Sequence, residues 1–252
     1  MPSIFITGAT AGFGRAIALN FAQHHWSIII NGRRTDRLRT LEEEIKNLGA
    51  DVISLPFDVR NEQQVSEAIE NLPNKWKQID VLVNNAGLAA GVNLIQDGKT
   101  EDWNTMIDTN VKGLLYVTKN IIPLMIKQKS GHIINIGSIA GKDAYMKGNV
   151  YCATKYAVDA LTKSMRIDLL EHGIKVSSVN PGAAETEFSL VRLKGDVEKA
   201  NAVYKGFQPL VADDIAEIVY FVATRPAHVC INDVVVTPTA QANTTHLLRK
   251  TD

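Results

Sequence analysis

Runs of aliphatic and β-branched residues recur along the chain at wide intervals, at positions 3–7, 27–31, 52–57, 80–83, 132–136, 175–179 and 234–237. They are continuous rather than alternating, which is the pattern of strands buried on both faces. Between them the apolar residues fall at helical spacing, as in Ile17, Ala18, Phe21 and Ala22, or in Leu38, Leu41, Ile45 and Leu48 ahead of Gly49. Strand and helix in repeated alternation predict an α/β protein: a doubly wound, seven-stranded parallel sheet with helices on both faces and right-handed crossovers. No low-complexity linker breaks the rhythm, so a single domain over residues 1–252 is expected.

Two stretches depart from it. Residues 186–206 carry no clean apolar period and contain Arg192, Lys194, Gly195 and Asp196. An insertion beyond the carboxyl end of a late strand lies where ligands bind, so it is a candidate substrate lid; a surface loop is the alternative. The tail, 239–252, is polar and aperiodic, and reads as a frayed terminus or as an arm against a neighbouring subunit.

Composition narrows the class. The 252 residues carry 27 basic and 27 acidic side chains, are 45% hydrophobic and contain 17 Gly and 8 Pro, which excludes disordered and collagenous chains. Zero net charge and the lack of a basic, aromatic-interleaved stripe argue against a nucleic-acid partner. No run approaches the roughly 18 apolar residues of a membrane span. Cys152 and Cys230 form no framework and no Cys/His spacing suggests a metal. With an apolar run beginning at Ile4 and no room for a signal segment, a cytoplasmic protein is expected.

The first turn carries the first chemistry. Gly8, Gly12 and Gly14, with Ala9, Thr10 and Phe13 among them, lie between the first strand and the first helix. A helix N-terminus presents unpaired N–H groups and partial positive charge, and small residues let a pyrophosphate approach. The second strand ends at Asn31-Gly32-Arg33-Arg34. In dinucleotide folds this corner meets the adenosine ribose, where an acid selects the free 2′-hydroxyl and a cation the 2′-phosphate. Two guanidinium forks favour NADP. Asp36 keeps NAD open, and solvated arginines ahead of a helix are a third reading.

Tyr151 and Lys155 stand four apart on a predicted helix and therefore on one face. An ammonium beside a phenol lowers its pKa, so the pair suits general acid–base chemistry on an alcohol or carbonyl. Ser138, at the carboxyl end of the fifth strand, can donate to a developing alkoxide. The residues Asn84, Asn85, Ala86 and Gly87 follow the fourth strand, and small side chains there admit a ribose.

Taken together, the glycine turn, Asp58-Val59, Asn84-Asn85-Ala86-Gly87, Asn110, Ser138, Tyr151 with Lys155, and Pro181-Gly182 resemble the short-chain dehydrogenase/reductase family over essentially the whole chain. The resemblance implies a Rossmann-type fold in which Tyr151 exchanges the proton and Ser138 binds the substrate oxygen. It further implies that Lys155 binds the nicotinamide ribose while lowering the Tyr151 pKa, and that Asn110 completes a relay through a water. Asp58 and Val59 would surround the adenine, Asn84, Ala86 and Gly87 the ribose side, and Pro181, Gly182, Ala183 and Thr186 the nicotinamide. Ala184 stands where many members carry valine.

Within the family the chain is most similar to the bacterial NADP-dependent 3-hydroxy acid dehydrogenases, also described as serine dehydrogenases and malonic semialdehyde reductases. The matching stretches are T-G-A-T-A-G-F-G from Thr7, N-G-R-R from Asn31, E-D-W-N-T-M-I-D-T-N from Glu101, G-H-I-I-N-I-G-S from Gly131 and T-E-F-S-L-V-R-L-K-G from Thr186. Such proteins act on the 3-hydroxyl of serine, allo-threonine, 3-hydroxybutyrate or related acids, and Arg192 and Lys194 are the candidate carboxylate anchors by charge. A reductase of sulfoacetaldehyde or another carbonyl, and a silent NADP-binding scaffold, are the alternatives. The family further implies a homotetramer joined through helices near 110–127 and 149–172.

Overall fold

The computed structural model describes residues 1–250. Among these, β1 (Ser3–Ile6), β2 (Ser27–Gly32), β3 (Val52–Pro56), β4 (Val81–Asn84), β5 (Gly131–Ile136), β6 (Ile174–Pro181) and β7 (Asp233–Val236) form one sheet in the order β3-β2-β1-β4-β5-β6-β7. Every pairing is parallel, with Ile4 opposite Ile28 on one side and Val81 on the other. Each predicted strand is present, with ends displaced by one or two residues.

Strand alternation explains the continuous apolar runs. Ile4 and Ile6 face one layer together with Ile28, Ile30 and Val83; this layer holds α1 (Gly12–Gln23), α2 (Thr35–Asn47) and α9 (Ala212–Ala223), through Phe21, Leu41 and Val219. Phe5, Ile29 and Leu82 face the other, built from α3 (Glu62–Glu70), α5 (Leu114–Gln128) and α6 (Asn149–Asp168) through Val65, Val117 and Val158. Both faces are covered, so no polar alternation survives. No helix of the described residues is long and apolar enough to cross a membrane.

Helix α4 (Thr100–Ile107) runs into α5 through a π-turn at Asp108–Gly113. Such turns interrupt the regular backbone ladder and recur at functional sites. The aperiodic stretch after β6 is not loop throughout: it forms α7 (Glu187–Arg192) and α8 (Val197–Ala202). Side-chain caps start both, Thr186 accepting from the Phe188 N–H and Asp196 from the Lys199 N–H. Over 239–250 the tail is not frayed but folds back on its own chain. The Lys250 N–H donates to the Gly206 carbonyl at 2.7 Å and Arg249 donates to the Val203 carbonyl at 2.9 Å. Thr251 and Asp252 lie outside the described residues.

Candidate active site

The chain leaves β1 for one face of the sheet and reaches β4 from the other, and ligands bind in the crevice beyond such strand ends. The glycine turn lies on one wall and Asn84 to Gly87 on the other. Gly8 has φ +66°, and a Cβ there would stand 2.9 Å from the Ala86 Cα. A Cβ on Gly14 would stand 2.5 Å from Asn85 Nδ2, which donates to the Thr7 and Gly8 carbonyls at 2.8 and 3.1 Å. Only hydrogen fits at either place, so the glycines also serve to seat Asn85. The N-cap of α1 is Ala11, which offers no side-chain acceptor, leaving the leading N–H groups to an outside anion. Ala9 is buried, its N–H bonded to the Asn31 carbonyl, and Phe13 turns back into the core.

At the adenosine corner, Arg34 donates through Nε and Nη2 to Thr10 Oγ1 at 3.2 and 2.9 Å. Arg33 is 59% exposed, with Nη1 3.5 Å from the Asp58 carboxylate. Asp58 is held more closely by Arg60 at 2.6 Å; burial pulls its carboxyl upward, but hydrogen bonds from Arg60 outweigh this and leave it below the usual range. The Val59 side chain is buried in the core beside Gly113, so it offers the crevice its main chain alone.

The Asn84 side chain, expected along the ribose, is engaged within the sheet. Asn84 lies two residues beyond Leu82, on the same face of β4, and its Nδ2 donates to Thr118 Oγ1 and Asn135 Oδ1, both at 2.9 Å. It belongs to a buried network inside the sheet, while Ala86 and Gly87 remain at the crevice.

Helix α6 carries Tyr151 and Lys155, both buried. Lys155 Nζ donates to the Ile136 carbonyl at 2.9 Å and sits 6.0 Å from the Tyr151 ring centre. Desolvation lowers its pKa to about 8. The phenol behaves otherwise than expected. Burial, reinforced by Tyr145, raises the Tyr151 pKa; Ser138 and Arg192 pull it down without prevailing, and Lys155 does not reverse the sign. At neutral pH Tyr151 is a phenol. Ser138 leaves β5 extended, its Oγ accepting from the Ala140 N–H at 3.1 Å and standing 3.4 Å from the Pro181 carbonyl. Asn110, inside the π-turn, is fully engaged: it bonds both the N–H and carbonyl of Leu88 at 2.8 Å and donates to Thr154 Oγ1 at 3.0 Å. Its side chain pins the loop after β4 to α6, so any relay through this residue uses its main chain.

The structure separates the two cations after β6, Arg192 and Lys194. Arg192 reaches the phenol, its guanidinium carbon 5.9 Å from the Tyr151 ring centre and its Nη1 donating to the Tyr145 hydroxyl at 2.9 Å. Its Nε is buried without an acceptor among the described residues. Lys194 pairs with Asp102 at 2.8 Å, half exposed. Just beyond β6, Gly182 leaves room for Gln241, whose Oε1 accepts from the Ala183 N–H at 2.8 Å, and Thr186 lies over Gly12. Sequence reasoning missed Tyr145, Gln241, Phe188 against Tyr151, and Asn85 as the clamp of the glycine turn. Only Asn85 had a signal, its place beside the motif.

A model of the short chain dehydrogenase family matches residues 2–195. The chain belongs to that family. It is 47% identical over 240 residues to an NADP-dependent 3-hydroxy acid dehydrogenase of Salmonella typhi, covering 95% of this chain and 96% of the relative. It is 46% identical to sulfoacetaldehyde reductase 2 of Chromohalobacter salexigens, with 95% of each covered. Among solved structures, the closed form of a serine dehydrogenase complexed with NADP+ superposes with a TM-score of 0.92 at 42% identity, over 99% of this chain and 100% of that one.

Proposed function

We propose that this short-chain dehydrogenase is an NADP-dependent oxidoreductase that interconverts the 3-hydroxyl of a small hydroxy acid, of the serine, allo-threonine, 3-hydroxybutyrate or 3-hydroxypropionate type, with its carbonyl. The observation that carries this reading is Arg192, a cation with an unpartnered buried Nε placed beside the phenol of Tyr151. A charged fork a few ångströms from an acid–base group is what an anionic alcohol or semialdehyde requires. NADP is the coenzyme named in the relatives. The open N-terminus of α1 and the arginines past β2 fit its pyrophosphate and 2′-phosphate, with Gly8, Thr10, Gly12 and Gly14 along the turn.

Bound coenzyme supplies or removes the hydride. In the reductive direction Tyr151, a phenol at neutral pH, gives its proton to the carbonyl oxygen while the Ser138 hydroxyl donates to the same atom. Lys155 holds the nicotinamide ribose, and Pro181 to Ala183 with Thr186 flank the nicotinamide. Asp58, Val59, Ala86 and Gly87 line the rest. Residues 186–206 are the substrate lid, bringing Arg192 over the site. Assembly as a homotetramer through α5 and α6 is supported by exposed Leu115, Tyr156 and Ile167.

Sulfoacetaldehyde reduction is the second reading, favoured by the same Arg192, because a sulfonate suits the same fork. A coenzyme-linked assay with malonic semialdehyde, sulfoacetaldehyde and 3-hydroxy acids separates them by kcat/KM. Arg192→Met is expected to raise KM for anionic substrates on the order of tenfold to a hundredfold, with little change for a neutral aldehyde; equal losses for both would remove the anchor. Lys155 sets the pH dependence: its charged form is present below about pH 8 and is lost above it. Reductive kcat/KM is therefore expected to fall with an apparent pKa near 8, and Lys155→Arg to move the fall upward; an unmoved inflection would assign it to another group.

A further inference from the structure

One carboxylate fastens the lid to the adenosine side of the crevice. Glu187, the first residue of α7, bridges two arginines: Oε2 accepts from Arg34 Nη1 at 3.0 Å and Oε1 from Arg37 Nη1 at 2.5 Å. Arg34 is fixed separately by its two bonds to Thr10, so the glycine turn rather than the lid sets its position. Immediately before Glu187, Thr186 stands above Gly12, where a Cβ would meet its own Cβ at 3.5 Å. Glycine turn, β2–α2 corner and lid thereby border an open pocket of about 300 Å³ lined by Thr10, Gly12, Arg15, Arg37 and Glu187 among others.

We propose that Glu187 is the clasp of the coenzyme groove, a positioning residue whose two ion pairs must break before a dinucleotide enters or leaves. This rests on the coenzyme placement proposed above. Thr186 over Gly12 and Glu187 on Arg34 and Arg37 carry this segment from the glycine turn to the arginine corner, so a coenzyme running from that corner toward Tyr151 would pass beneath it. Burial pulls the Glu187 carboxyl upward, but hydrogen bonds from Arg37 and Arg34 outweigh it and keep it ionised at neutral pH. The three side chains are 41–43% exposed, so water screens each pair and the clasp is reversible rather than permanent. A carboxylate shared by two arginines nonetheless couples the pairs, and breaking one weakens the hold of the other.

Coenzyme release measured by stopped-flow displacement, following reduced-nicotinamide fluorescence, tests the clasp. Glu187→Gln and Arg37→Gln are each expected to speed release of NADPH and NADH alike, on the order of fivefold. The double variant should be no faster than the faster single one, because Glu187→Gln already removes the pair that Arg37→Gln breaks. Unchanged thermal midpoints would separate this from a general loosening of the fold. Slower release of NADPH alone from Glu187→Gln would overturn the proposal and make Glu187 a competitor of the 2′-phosphate. Unchanged release, or multiplying effects in the double variant, would overturn it as well. The coenzyme assignment fails on different results: a wild type that holds NADH as tightly as NADPH refutes NADP selectivity while the clasp is still scored on NADH, and a wild type that binds neither refutes both.

Discussion

Replacement of Tyr151 by Phe is expected to lower turnover about a thousandfold while leaving NADPH affinity nearly unchanged. General acid catalysis contributes about 10²–10⁴, and the lost proton must then come from water at a site that Tyr145, Phe188 and Arg192 crowd. The substitution is clean because the ring has a structural role of its own. It packs with Ala89, Met106, Ala140 and Cys152 and meets Phe188 at 5.5 Å between ring centres. Phenylalanine keeps these contacts and removes a hydroxyl alone, so folding and coenzyme binding should persist. Initial rates under saturating coenzyme, beside a fluorescence titration of NADPH, check both halves. A variant retaining more than about a tenth of wild-type turnover would take the proton transfer away from Tyr151. The oxidative direction sharpens the test: burial holds the phenol protonated, so below the Lys155 inflection near pH 8 dehydrogenation should speed up with rising pH in the wild type and lose that dependence in the variant.

Why some of this architecture was legible in the sequence, and some was not, follows from the range of the interactions. The sheet was legible because both faces are covered, which makes Ile4, Phe5 and Ile6 apolar without exception. The glycine turn and the Tyr151–Lys155 pair were legible because their spacing is local. Asn84 misled because a small polar residue after a strand suggests a ligand contact, although its parity with Leu82 assigns it to the sheet interior. The π-turn was invisible because Asp108 to Gly113 continues an ordinary helical sequence. Helices α7 and α8, six residues each, lack an apolar period and stand on caps and long-range bonds. Glu187 reaches partners about 150 residues earlier in the chain, a relation that no spacing rule encodes. The Tyr151 phenol departs from the spacing rule for a related reason: i, i+4 proximity brings the ammonium near, but burial, with Tyr145 adding to it, raises the pKa instead.

The arginine corner should divide into two functions when its members are changed one at a time. Neutralising both, as Arg33→Gln with Arg34→Gln, is expected to weaken NADPH about a hundredfold or more, since hydrogen bonds to a charged group contribute about 1.5–3 kcal/mol each, and to leave NADH within a few-fold. Equilibrium titrations with both coenzymes measure it, and equal losses would show that neither guanidinium reads the 2′-phosphate. The single variants then go further. Among the described residues Arg33 pairs with Asp58, at 3.5 Å, and not with Glu187, so Arg33→Gln should cost NADPH affinity without altering NADH release. Arg34 bonds both Thr10 and Glu187, so Arg34→Gln should lose phosphate recognition and speed the release of both coenzymes. Salt provides an independent axis. Raising ionic strength screens the exposed Arg33 most, so NADPH affinity should fall with salt in the wild type, and less steeply once Arg33 is neutral. A salt dependence unchanged by Arg33→Gln would place the 2′-phosphate on Arg34 alone, and would make coenzyme choice and lid closure the work of one side chain.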